Sequence, residues 1–94
     1  MSEQIVFFKK HKTGSTDYYY YVTKKNNRYY VYVEAIHHEQ VTPTWTVVRG
    51  EGKECLKLQD EQEAKEIIQL LRKGKYEEFE ENYGDRDWIV DYGE

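Results

Sequence analysis

The chain is poor in the residues that cross-link, ligate and catalyse. Cys55 is the one cysteine among 94 residues, which excludes an internal disulfide and suits a reducing compartment. There are three histidines, His11, His37 and His38. Adjacent histidines in a strand point to opposite faces and do not share one metal ion, and no ligand spacing brings Cys55 or a carboxylate to them. No window approaches the roughly 18 apolar residues of a membrane-spanning helix. No basic leader precedes an apolar run, so no signal peptide is expected and a cytoplasmic location is. The glycines are too few and too badly placed for a nucleotide loop. The stretch 12–16 (Lys-Thr-Gly-Ser-Thr) lacks the first glycine and the Gly-Lys-Ser/Thr order. Gly50-Glu51-Gly52 has no third glycine and no helix after it at the right distance, and it reads as a turn. No acid–base or nucleophilic set emerges, so an enzyme is not expected and no cofactor is implied.

What the chain does have is tyrosine, ten in all, with 16% aromatic content, enough to argue against disorder despite 34% charged residues. They concentrate in one stretch, Tyr-Tyr-Tyr-Tyr-Val-Thr before Lys-Lys-Asn-Asn-Arg and Tyr-Tyr-Val-Tyr-Val-Glu-Ala-Ile after it. Aromatic and β-branched residues suit a pleated surface. Asn26-Asn27 tolerates the positive φ of a two-residue type I′ turn, so the stretch reads as a hairpin. Centring the turn there pairs Lys25 with Arg28 and Tyr21 with Tyr32. Tyr18, Tyr20, Val22, Val31, Val33 and Ala35 then share one face, the expected core. Tyr19, Tyr21, Tyr30 and Tyr32 share the other with Thr23 and Glu34, as an aromatic plate with no evident cover.

Further strands are expected at 5–10, 44–49 and 54–58. Asp60 is a good N-cap with Glu63 in capping-box spacing. The apolar stripe Ala64, Ile67, Ile68, Leu71 predicts a helix over 61–73 ended by Gly74. A shorter helix is expected over 75–83, and 85–94 reads as a late edge strand or an ordered tail. The fold class is therefore α+β in a single domain, 1–94. An antiparallel sheet of about five strands occupies about 4–58, and one main and one short helix pack on one face, with the helical, acidic–aromatic end at about 60–94. Five strands at about 4.8 Å span roughly 24 Å, while one helix covers about 10 Å. The second helix or a partner chain, a second copy included, must cover the remainder.

Charge is unevenly spread. Residues 1–50 carry seven Lys or Arg against four Asp or Glu, a balance of +3, and residues 51–94 carry seven against fourteen, −7. Glu77, Glu78, Glu80, Glu81, Asp85, Asp87, Asp91 and Glu94 crowd the end, with Arg86 their one basic neighbour and Tyr76, Phe79, Tyr83, Trp88 and Tyr92 interleaved. Carboxylates around apolar anchors fit a ligand for a basic surface, with charge for steering and rings for burial. The expected contact residues are Glu77, Glu78, Glu80, Glu81, Asp85, Asp87, Trp88, Asp91 and Tyr92, and the expected partner is a protein with a basic surface, such as a nucleic-acid-binding enzyme. In size and charge pattern the chain resembles small phage-encoded inhibitors that imitate DNA, such as anti-CRISPR proteins; the resemblance is one of physical type and rests on no motif. It implies the cytoplasm of a host cell. The alternative is single-stranded nucleic-acid binding on the plate Tyr19, Tyr21, Tyr30 and Tyr32, with bases stacked on the rings and lysines meeting phosphates.

Overall fold

The structure, a computed structural model, describes residues 3–91. Five strands form one antiparallel sheet in meander order: β1 (Gln4–Thr13), β2 (Thr16–Lys25), β3 (Arg28–Thr42), β4 (Trp45–Lys57) and β5 (Ile89–Asp91). Helices α1 (Glu61–Arg72) and α2 (Tyr76–Tyr83) lie between β4 and β5 in the chain, and both pack on the same sheet face. The tyrosine hairpin turns on Asn26 and Asn27, whose φ values are 51° and 63°. The expected register follows: Lys25 pairs with Arg28, Val22 with Val31 and Tyr21 with Tyr32.

That register decides what is buried. Val22 and Val31 are completely inaccessible, Tyr20 is buried beside them, and Leu56 and Leu58 join from β4. From α1, Ala64, Ile67 and Leu71 close over the strands, with Ile68 partly buried at their side. The Asp60 side chain accepts a hydrogen bond from the Glu63 amide at 3.0 Å, fixing one otherwise unpaired donor of the first turn. The Glu63 carboxylate does not return the bond to Asp60, as a strict capping box requires. It accepts from the Gln59 amide at 3.0 Å and leaves its second oxygen for Arg86 at 2.7 Å. Gly74 takes the left-handed conformation just past the helix, φ +73°.

Two sequence expectations need correction. Gly50-Glu51-Gly52 is not a turn, and 44–49 and 54–58 are not separate strands; both belong to the continuous β4. The glycines sit instead beside a bulge, where pairing jumps from His37–Gly50 to His38–Val48 and leaves Arg49 as the extra residue. An extra residue with glycines nearby is what a strand needs to bend without stopping. The fifth strand comes from the far end of the chain, where Ile89 pairs with Cys55 and Val90 with Glu54. Beyond the bulge, β3 and β4 continue as a two-stranded ribbon that turns at Pro43-Thr44.

Candidate functional site

The acidic end is built by α2 and the loop after it. Phe79 and Tyr83, four residues apart on α2, both point inward and are buried. Phe79 meets Tyr20 edge-on, with centroids 5.9 Å apart at 90°, and Trp88 nearly so, at 6.3 Å and 82°. Tyr76, at the start of α2, stacks on His11 of β1 with ring centroids 3.9 Å apart and on Tyr20 at 5.2 Å. Three side-chain hydrogen bonds tie down the end of α2 and the segment after it. The Trp88 indole Nε1 donates to the Tyr83 carbonyl at 2.8 Å, the Tyr83 hydroxyl donates to Glu66 at 3.1 Å, and Arg86 donates to Glu63 at 2.7 Å. Burial of Tyr83 and its bond to Glu66 push its phenol up to about 12, while the Arg86 contact holds the Glu63 carboxyl below its ordinary range. Gly84 ends the helix at close quarters: a Cβ there would run into the Glu80 carbonyl.

With the rings turned in, the carboxylates face out. Glu77, Glu78, Glu80, Glu81, Asp85 and Asp87 are all exposed. Among the described residues only Glu78 of the four α2 glutamates has a cation at ion-pair distance, Lys75 at 3.8 Å. The sequence reading treated the interleaved rings as anchors for a partner. The structure instead places Phe79 and Tyr83 in the core and half-buries Trp88 against it, so the rings fix the array and the charges present it. Asp91 lies in β5, paired with Lys53; Tyr92 lies outside the described residues.

The second expected surface is the tyrosine plate. Tyr19, Tyr21, Tyr30 and Tyr32 are all half-buried on the sheet face opposite the helices. Two features were not legible in the sequence. Phe8 of β1 joins the plate, stacked on Tyr21 at 5.4 Å, because an extra residue at Val6 shifts the register between Ile5 and Phe7. Glu3 lies over the other end, accepting from the Tyr32 hydroxyl at 2.6 Å and from Thr23 at 2.5 Å. Tyr21 donates to Glu34 at 3.0 Å. Burial and the Glu3 carboxylate hold the Tyr32 phenol well above its ordinary range, and the two hydroxyl donors hold Glu3 below its own. Because the folded state lowers the Glu3 value, its stabilisation is present above the ordinary glutamate range and is lost as pH falls through the lowered value. Thermal melts from neutral to acid pH should therefore show Glu3→Gln losing stability relative to wild type at neutral pH, with the gap closing in acid. A gap independent of pH would mean that the Glu3 charge does not matter to the fold.

Cys55 is half-buried and burial pushes its thiol up, away from a nucleophilic thiolate. His37 and His38 go to opposite sides, His37 to the Thr16 hydroxyl at 3.1 Å and His38 to Asp17 at 3.2 Å. No three His, Cys, Asp or Glu side chains converge on a metal-sized point among the described residues, and no helix there is long and apolar enough to cross a membrane. Sequence reading also passed over the ribbon, where Val41, Trp45 and Val48 are exposed. Comparison with protein-family models, with curated proteins and with solved structures finds no match.

Proposed function

We propose that this protein is a small non-enzymatic binding module that occupies a basic, nucleic-acid-binding surface of a partner protein, in the manner of a DNA-mimicking antagonist. The observation that carries this reading is the outward array on α2, backed by the buried rings of Phe79 and Tyr83. At 1.5 Å per residue, Glu77 and Glu81 lie about 6 Å apart along the helix axis, so the four charges fall on average about 2 Å apart along it, close to the roughly 1.7 Å per charge along duplex DNA. Asp85 and Asp87 extend the array past the helix end. Packed like charges repel one another, and a basic surface relieves that repulsion.

Replacing Glu77, Glu78, Glu80 and Glu81 by Gln preserves shape and helix propensity and removes four charges. The variant is expected to fold as wild type does. Toward a basic partner captured from a host lysate and then purified, it should lose association rate, and short duplex DNA should compete with the wild type. Because exposed charges are screened beyond about 8 Å at physiological salt, the wild-type rate should fall as salt rises. Unchanged rate and affinity in the variant would leave the array an ordinary solvated helix face.

The open plate favours a second reading, single-stranded nucleic-acid binding. Phe8, Tyr19, Tyr21 and Tyr32 form a ring surface, with the Lys10 amine 5.5 Å from the Tyr19 ring and the Lys53 amine 5.2 Å from that of Tyr32. Glu3 and Glu34 on the same face oppose it, since both would meet a phosphate backbone. Oligonucleotide binding that disappears in Tyr21→Ser with Tyr32→Ser would reverse the order of the two readings.

A further inference from the structure

The helices do not close the whole inner face of the sheet. Between α2, the segment after it and strands β1 to β4 lies a cavity of about 700 Å3, within the roughly 300–1,000 Å3 range of small-ligand sites. Its lining is graded. Tyr20 and Phe79 are buried, Tyr18, Tyr76 and Trp88 are half-buried, and carboxylates that face solvent complete it. Glu54 comes from β4, Glu77 and Glu80 from α2 and Asp87 from the loop, so three separate segments bring four carboxylates to one hollow.

We propose that this cavity receives an arginine side chain, presented by the basic surface of the partner. The inference rests on the functional reading above and gives it a specific contact. Aromatic rings and carboxylates each attract a cation, and here both line one space. An anion is disfavoured by the carboxylates, and a neutral apolar ligand would desolvate them without pairing them. A planar guanidinium suits the combination better than a compact, strongly hydrated ammonium, because it stacks on a ring with its face and forks to carboxylates with its edge. The arginine in the lining does not fill this role. Arg86 is already committed outside the cavity, to Glu63 at 2.7 Å and over the Tyr83 ring at 5.3 Å. The fold thus holds one guanidinium between a ring and a carboxylate already. Glu54, Glu77, Glu80 and Asp87 make no ion pair among the described residues.

The test uses the full chain with Trp45→Phe, which leaves Trp88 as the fluorescent reporter, and short blocked glycine peptides carrying one arginine, lysine or citrulline. The arginine peptide should bind saturably, with amide shifts concentrated at Tyr76, Phe79 and Trp88. The lysine peptide should bind several-fold more weakly, and the citrulline peptide, uncharged but of the same shape, about tenfold or more weakly. Glu54→Gln with Asp87→Asn should reduce arginine-peptide affinity by about tenfold with an unchanged melting temperature. Glu78→Gln with Glu81→Gln, outside the cavity lining, should leave it unchanged while slowing association with the partner. Equal binding of arginine and citrulline peptides, or no saturable binding of either, overturns the cavity proposal even if the outer glutamates govern partner association. Arginine-peptide binding as expected, with partner association indifferent to the four-Gln replacement, would keep the site and overturn the functional reading.

Discussion

Replacing Ile67 by Ala should lower the unfolding free energy by about 2–5 kcal/mol. Ile67 is fully inaccessible at the centre of the α1 stripe, in one cluster with Val22 and Val31, which are equally inaccessible. Shortening it leaves a void that rigid β-branched neighbours on a hydrogen-bonded sheet are poorly able to fill, so the upper part of that range is expected. A domain of this size has a modest core, and total stabilities of about 5–15 kcal/mol make such a loss a large share. The midpoint of thermal unfolding should drop by about 10 °C or more. Lys65→Ala, exposed on the same helix and paired with Glu61 at 3.1 Å, is the control and should cost about half a kcal/mol or less. Equal small losses for Ile67 and Lys65 in denaturant melts would mean that α1 does not seal the sheet.

The tyrosine hairpin was legible because everything that fixes it is local. Two asparagines that accept positive φ set the turn, the turn sets the register, and period-two alternation sends Val22 and Val31 to one side and Tyr21 and Tyr32 to the other. Helix α1 was legible for the same reason, with its cap, stripe and terminal glycine all within one short stretch. What failed depended on distant partners. Gly50 and Gly52 carry the composition of a turn, but a long β3 offers pairing on both sides of them, and a bulge at Arg49 absorbs the irregularity. Nothing in residues 5–10 announces the extra residue at Val6 that turns Phe8 onto the plate. Nor does any local pattern show that Glu3 reaches Thr23 and Tyr32, or that Glu63 divides its carboxylate between Gln59 and Arg86. At the acidic end the sequence showed which residues are charged and which are aromatic. Which way the rings point was not legible, because Phe79 and Tyr83 face inward only once β2 supplies Tyr20 and the loop supplies Trp88.

Phe79→Ala should cost about 3–5 kcal/mol, and its consequence should be concentrated in α2. The helix has eight residues, below the roughly 12–15 at which an isolated helix becomes even marginally stable in water. Its N-cap, Lys75, makes no side-chain capping bond, and its last turn carries no basic residue to meet the dipole. Four glutamates along it repel one another. Its order therefore depends on docking, and docking depends on Phe79, which joins Tyr20, Tyr83 and Trp88 in one aromatic contact. Removing that ring should raise amide exchange throughout α2 and the Trp88 segment, while amides of the β2–β3 hairpin keep most of their protection. It should also cost partner binding as much as the four-Gln replacement does, although every carboxylate is still present. This variant separates charge from the geometry of charge. If α2 loosens and the partner still binds at wild-type affinity, an unstructured acidic segment is sufficient and the spacing of charges along the helix plays no part in recognition.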